Sequence, residues 1–583
     1  MIMNSRIEDK FKNKITIQNI IGLLLYIAAA LMIVGSVMLC YSNDIWYDEV
    51  FSVEYARHSM EELINLTAQD VHPPLYYIIV HIGMLIGTQL GISDIVAAKI
   101  VSVIPFILLF IYSAVFVRKR WGLITGGMFS FMLIAMPQIS EYTVEIRMYT
   151  WAMFFVTAFC IHAYGIMEKT FADAFNKKIL IHGIPLVIYG IAAFYTHYYA
   201  LMVVFYMYLF MIVWTTVSFI RTMKSKNASV NGTNDKVINF RAPAIVIIGF
   251  NLSLVSYVPW ISVVASQAQS VSENYWIQEV SFSTLGGIIK FLLKPSFSND
   301  MVNTIIAVIL FILLALVTLI YIACYRKKMQ ADKNANTDKF DDNRSLFLAG
   351  KNVSLKREFL FIFFGIGSFV LMLLTAIAAS IIIRPVFIYR YMIPAYGMLW
   401  LCICIMIYRV MDKGSTNKIY RAVSFILTIL IIITGIRNYW AFRGNELYKK
   451  VNMDITEEAL ESISDSYDSE NVKIVCNFNQ MQALMYFYLE DYDIVLYNSE
   501  IEGPYKVLNP DAFSWYEDVE SGNYGQISEW LSDGYDVLFI GSFNARDEIL
   551  ENWNSTEGIE SEEIGSYLLE RYWFNIYKLT LDN

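Results

Sequence analysis

Five short motifs hold the residues whose types and spacing could do chemistry. The first reads Asn43-Asp44-Ile45-Trp46-Tyr47-Asp48-Glu49-Val50-Phe51-Ser52. Asp48 and Glu49 adjoin aromatic and aliphatic residues, a setting that raises a carboxylate pKa toward the range of a general base. The same pair could instead cap the helix that follows, Val50 to His58, by satisfying its free N–H groups. The second motif is Asp70-Val71-His72-Pro73-Pro74-Leu75-Tyr76-Tyr77. Two prolines start a helix there, and His72 is held extended before them. His72 could orient a carboxylate, ligate a metal or donate to a phosphate; the plainer reading is a helix-entry turn. The third, Glu141-Tyr142-Thr143-Val144-Glu145-Ile146-Arg147-Met148-Tyr149, pairs Glu145 with Arg147. Arginine suits bidentate phosphate binding, and an interfacial Glu–Arg pair is the alternative. The fourth is Tyr195-Thr196-His197-Tyr198-Tyr199, readable as an aromatic belt with one histidine. The fifth runs from Arg384 to Pro394 and holds Arg384, Arg390 and Tyr391. Its arginines are candidates for an anionic headgroup, or for pairing with Glu145 or Asp48. Acid, histidine and arginine together suit an anionic lipid headgroup and a proton transfer.

The elements that must position these motifs are membrane helices. The chain has 583 residues, 56% of them hydrophobic and only 17% charged, with a mean hydropathy of +0.47. A soluble protein carries about 25% charge. A net charge of −9 excludes a broad nucleic-acid-binding face, and six cysteines do not make a disulfide scaffold. The first apolar run, 15–40, follows Arg6, Lys10, Lys12 and Lys14 and is too long for a signal peptide. It reads as a retained span with its N-terminus in the cytoplasm. Further runs at 94–117, 121–138, 148–167, 179–195, 198–220, 243–264, 301–324, 359–382, 391–410 and 422–439 bring the total to about eleven spans.

Charge bias decides the ambiguous segment 72–91. If it does not cross, the proposed cytoplasmic pieces hold about 28 Lys and Arg, and the external loops about 6. The external loops are then 41–93, 139–147, 196–197, 265–300 and 383–390, so all five motifs face outward. After the membrane module 1–439, residues 440–583 become acidic and have no spanning run. Short apolar segments at 473–477, 493–497, 536–543 and 573–579 read as strands, with a helix over 480–489. An odd number of spans puts this small α/β domain outside. The sequence holds no Walker motif, no GxSxG and no HExxH.

The chain resembles bacterial family 39 glycosyltransferases, the protein O-mannosyltransferases and aminoarabinose transferases of the GT-C fold. The match runs over about 41–200 and again near 384–394. It rests on Asp48-Glu49, on Asp70-Val71-His72-Pro73-Pro74-Leu75, on Glu145-Ile146-Arg147-Met148-Tyr149 and, less specifically, on Thr196-His197-Tyr198 and Arg390-Tyr391. The resemblance implies an α-helical polytopic membrane protein of the GT-C fold with a small external α/β domain, multi-pass in the plasma membrane. It implies a polyprenyl-phosphate sugar as donor and an acceptor hydroxyl on a glycan, lipid or protein. On the family's pattern Asp48 is the general base of an inverting displacement, with Glu49 and Glu145 beside it. Arg147 and Arg390 hold the leaving phosphate. His72, Tyr149, His197, Arg384 and Tyr391 complete the substrate-binding set, while Asp48, Glu49 and His72 could hold a divalent ion. The rival reading is a transporter or flippase of lipid-linked sugars, which would put charges near the midplane. Here the spans are largely free of charge, Lys99 excepted.

Overall fold

The structure, a computed structural model, describes residues 17–169, 179–228, 241–270, 277–335, 342–411, 417–497, 521–522, 524–569 and 572–582. The basic residues Arg6, Lys10, Lys12 and Lys14, and residues 170–178, 229–240 and 336–341 of the expected cytoplasmic loops, lie outside the described residues.

Among the described residues, nine helices are long and apolar enough to cross a membrane. Such sequences form helices because, without water, each backbone N–H and C=O must be satisfied within its own segment. One of the nine, Asp94–Ala135, is two passes. A π-helical turn at Ser113–Val117 and a positive φ at Gly122 fold it back, so that the Ser113 hydroxyl donates to the Gly126 carbonyl at 2.8 Å. In a straight helix those residues would be about 20 Å apart. The apolar helix Leu180–Phe194 has only 15 residues. The eleven apolar runs read from the sequence fall on nine helices of spanning length, one of them folded back on itself, and this short one. Close approach of the first and third passes depends on glycine: a Cβ at Gly127 would overlap the Gly22 carbonyl.

The helix Leu75–Gln89 enters and leaves on one face. At its start Leu75 N–H donates to the Tyr195 carbonyl at 3.0 Å. Just past its end the Ser93 hydroxyl donates to Asn43 at 3.3 Å. Both partners lie in turns at the same end of the bundle.

Two helices form the interior, Tyr149–Lys169 and Tyr396–Met411, the second entered through a 3₁₀ turn at Tyr389–Ala395. Their spans are the most enclosed of the nine. They pack in close register, since a Cβ at Gly397 would meet the Thr157 side chain. Both start at the end of the bundle where the five motifs lie. At the other end Glu358, 2% exposed, accepts from Arg409 Nε and Nη2 at 2.7 and 2.6 Å and from Trp121 Nε1 at 2.8 Å.

The change of composition near 440 is no break in the backbone. Lys418–Ser466 is one helix of 49 residues, about 70 Å long, which leaves the bundle and becomes the first element of the C-terminal domain. A six-stranded sheet follows, with strands β1 Val472–Cys476, β2 Asp493–Tyr497, β3 Ser521–Gly522, β4 Asp536–Ser542, β5 Ile559–Leu569 and β6 Tyr572–Leu581, in the order β3-β2-β1-β4-β6-β5. β1, β2, β3 and β4 are parallel, and β5 and β6 close the edge as an antiparallel pair. The edge strand β5 carries Glu560, Glu562 and Glu563 on a mostly exposed surface, so no apolar alternation marks it. The domain sits on the first loop: Asn43 Nδ2 donates to Glu457 at 2.7 Å, and the Tyr488 hydroxyl to the Asn43 carbonyl at 2.7 Å.

Candidate active site

The helix Tyr47–Arg57 carries both acids in its first turn. Glu49, 4% exposed, has each carboxylate oxygen on a backbone donor: Oε2 accepts from Trp46 N–H at 3.1 Å and Oε1 from Ile146 N–H at 2.6 Å. It caps its helix and ties the first loop to the second. Asp48 is not engaged in this way. Its Oδ2 lies 3.1 Å from Arg390 Nη1 and 3.8 Å from Arg147 Nη2, without the alignment of a hydrogen bond to either.

Arg147 is buried and fixed from below, where its Nη1 donates to the Asp48 carbonyl at 2.9 Å and to Ser52 Oγ at 3.5 Å. Burial alone would lower its pKa, but Asp48 and the phenols of Tyr77 and Tyr149 outweigh it, and the group is held charged. Arg390 lies 5.9 Å from the ring centres of both Trp46 and Tyr149. Around these two arginines, buried polar atoms lack any hydrogen-bond partner among the described residues: Asp48 Oδ2, Arg147 Nε, Arg390 Nε, Tyr149 OH and His197 Nε2. Unsatisfied buried polar atoms are expensive and rare. A cluster of them on one spot marks where a ligand belongs.

His72 and His197 line the same place, their rings 6.0 Å apart. His72 Nδ1 is 3.3 Å from Asp70 Oδ2, which also accepts from the Tyr77 hydroxyl at 3.4 Å. Burial favours the neutral imidazole of His72 and outweighs the pull of Asp70, so its pKa lies below the usual value. Burial would raise the Asp70 pKa, but the bond and charge of His72, the Val71 N–H and Arg147 hold it low. Tyr391 packs its ring 5.2 Å from His197 and 5.0 Å from Tyr199.

Two expected residues are not in this cluster. Arg384 is exposed past the helix Asp342–Ile382, and no ion pair or side-chain hydrogen bond of the site involves it among the described residues. Glu145 is half-buried and lines a cavity of about 320 Å³ with Asp44, Trp46, Glu49, Lys99 and Glu446, which Asp48, Arg147 and Arg390 do not line. The metal set Asp48, Glu49 and His72 does not assemble. Among the described residues no three His, Cys, Asp or Glu side chains are placed to hold an ion. The oxygens of Glu49 face N–H donors, and His72 faces Asp70.

Comparison with solved structures places the architecture. ArnT from Cupriavidus metallidurans in the apo state aligns over 96% of this chain and 97% of its own, with a TM-score of 0.50 at 12% identity. The chain has the GT-C fold. The same ArnT bound to undecaprenyl phosphate gives a TM-score of 0.49 at 12% identity over the same shares of both chains. The oligosaccharyltransferase AglB from Archaeoglobus fulgidus, in complex with an inhibitory peptide and a dolichol-phosphate, gives 0.43 at 11% identity over 89% of this chain and 69% of that one. No family model matches the sequence, and neither does any curated protein. Within this GT-C framework, Ser52, Asp70, Tyr77 and Trp46 join the site beyond the residues expected from sequence. Ser52 is four residues from Asp48 on one helix, which puts both on one face, and Trp46 is two residues before it. Asp70 stands in the second motif. These positions were readable, and so was the Asp70–His72 pair two residues apart, but the contacts of Ser52 with Arg147 and of Trp46 with Arg390 cross between loops.

Proposed function

We propose that this protein is a membrane glycosyltransferase that moves a sugar from a polyprenyl-phosphate carrier to an acceptor hydroxyl, with inversion. One observation carries the reading: Arg147 and Arg390 converge on Asp48 while both keep a buried Nε–H without a partner among the described residues. Two fixed guanidinium groups beside one carboxylate suit an anion and a proton acceptor in one place. In the proposed step an Asp48 oxygen takes the proton of the acceptor hydroxyl as that oxygen bonds the anomeric carbon. The bond from that carbon to the phosphate oxygen breaks, and its electron pair stays on the phosphate. The phosphate gains charge as it leaves, and preorganised arginines stabilise that charge without reorienting, a contribution of roughly 3–4 kcal/mol per well-placed donor. Glu49 acts here through position, holding the Asp48 helix to the Arg147 loop.

The distribution of basic residues supports an outward-facing site. Arg120, Arg357 and Arg409 gather around Glu168 and Glu358 at the end of the bundle away from Asp48, as cytoplasmic ends do. A flippase reading would want charge at the midplane. Lys99 instead donates to the carbonyls of Ser42 and Asp44 at the site end. The test is a transfer assay on purified protein with a panel of polyprenyl-phosphate sugars. Wild type transfers from at least one donor and Asp48→Asn does not. No transfer from any donor, or equal turnover by the variant, rejects the proposal.

A further inference from the structure

His197 sits in the turn between two helices, 3% exposed. Its Nδ1 accepts a hydrogen bond from the Tyr199 backbone N–H at 3.1 Å. A ring nitrogen that receives an N–H must present a bare lone pair. The ring is therefore neutral, and its one proton is on Nε2. That Nε2–H is buried and has no partner among the described residues. It lies within a ring of groups from three neighbouring segments, while the helix Arg241–Ser270 packs on Tyr195 and Tyr198 at the turn's outer side. His72 comes from the Asp70–Pro74 segment, Arg147 and Tyr149 from the second loop and its helix, and Arg390 and Tyr391 from the 3₁₀ turn.

We infer that His197 is an uncharged, fixed-tautomer N–H donor to the anion that Arg147 and Arg390 hold. That the anion is a phosphate rests on the transferase reading above. Three observations act together. The backbone of residue 199 sets the tautomer. The helix start at Tyr198 and the packing of Tyr149 and Tyr391 set the ring's place. Burial, reinforced by His72, Arg147 and Arg390, keeps the imidazole well below its ordinary pKa, so it stays neutral at physiological pH.

Neutrality has a purpose in the charge balance. Arg147, Arg390 and Asp48 together carry one net positive charge, which matches the single negative charge of a phosphodiester donor, while the Asp70 carboxylate is turned to His72 and the Tyr77 hydroxyl. After transfer Asp48 holds the acceptor's proton, so the site carries two positive charges. They face a phosphate monoester close to two negative ones. A cationic His197 would add a charge at both stages and hold the product too tightly. A neutral donor adds a hydrogen bond, and with it direction, without disturbing that match.

The test uses full-length protein in nanodiscs, with farnesyl phosphate as the probe and ¹⁵N-labelled histidine for NMR. The chain has six histidines, and the His197 signal is the one lost in His197→Gln. The expected result is an Nε2–H tautomer that does not titrate between pH 5.5 and 8 and whose proton moves downfield when farnesyl phosphate binds. His197→Phe should bind the probe roughly ten- to a hundredfold more weakly, the size of one hydrogen bond to a charged group. His197→Gln, which keeps an N–H, should recover most of that loss. A ring that titrates in this range, a proton on Nδ1, or binding by the Phe variant equal to wild type overturns the inference. If the Phe variant fails to fold, the tautomer and the shift on binding still decide. The two readings fail separately: no sugar transfer with the tautomer and probe shift intact sinks only the transferase, whereas transfer with a titrating His197 sinks only this inference.

Discussion

Asp48 and Glu358 are carboxylates that face arginine at the two ends of the bundle, and they are held in different ways. Glu358 has two aligned bonds from Arg409 and one from Trp121. Both of its oxygens have aligned donors, and its surroundings are aromatic. Asp48 faces two arginines, is aligned to neither, and leaves unpartnered nitrogens around it. The same residue types therefore serve opposite ends. A closed pair fixes where helices sit; an open one keeps charge available. Counting ion pairs would not separate them, but asking which polar atoms are satisfied does.

The comparison breaks most directly at Asp48. Asp48→Asn should lower transfer roughly 10²–10⁴-fold while thermal unfolding in detergent stays near wild type. A large loss of stability instead would make Asp48 a second Glu358. The converse change is Arg409→Met, which leaves Glu358 buried with Trp121 alone. It should cost about 3–5 kcal/mol of stability, read as a lower midpoint of unfolding, with kcat of the folded fraction unchanged.

Arg147→Lys and Arg390→Lys sharpen the open end. Each should cut kcat roughly 10²-fold, because an ammonium cannot supply the planar two-donor edge of a guanidinium. Single-turnover kinetics would separate this from weaker donor binding. Glu49→Gln should be milder. It keeps an acceptor for one backbone N–H and loses the other, a cost of about 1–3 kcal/mol in stability. Its kcat should fall at least tenfold less than that of Asp48→Asn. A loss as deep as that of Asp48→Asn would give Glu49 a chemical role.

The smallest effect concerns pH. His72 and His197 have folded pKa values below their unfolded ones, so the unfolded chain binds more protons once pH drops below about 6.5. Stability is therefore complete above that pH and declines as pH falls, by at most about 1.4 kcal/mol per pH unit for each group. His197→Gln should flatten the slope of unfolding midpoint against pH between 7 and 5. An unchanged slope would mean that His197 is not buried neutral.

Much of this was legible beforehand. Apolar runs located the passes, and β1, β2, β4 and β6 fell within a residue or two of their alternating segments. The misses have physical causes. β5 is a polar edge strand, and the boundary near 440 marks where one helix leaves the apolar phase, which changes composition but not conformation. At the site, Arg147, Arg390, His72 and His197 came together as their motifs suggested, whereas Arg384 and Glu145 stand elsewhere. A motif shows that a residue is near a helix end, not which way that end turns.

By itself the sequence determined the helices, their ends and the loops in which chemistry could occur, because hydropathy and proline act over a few residues. Only the tertiary structure showed how differently Asp48 and Glu49 are held. They are neighbours on one helix, about 100° apart around its axis. That rotation sends Glu49 to the Ile146 N–H and Asp48 to Arg147 and Arg390. The His197 tautomer is set two residues away, yet its meaning depends on arginines from two other loops. Those arginines meet because the two most enclosed helices begin side by side, and no local pattern encodes that contact.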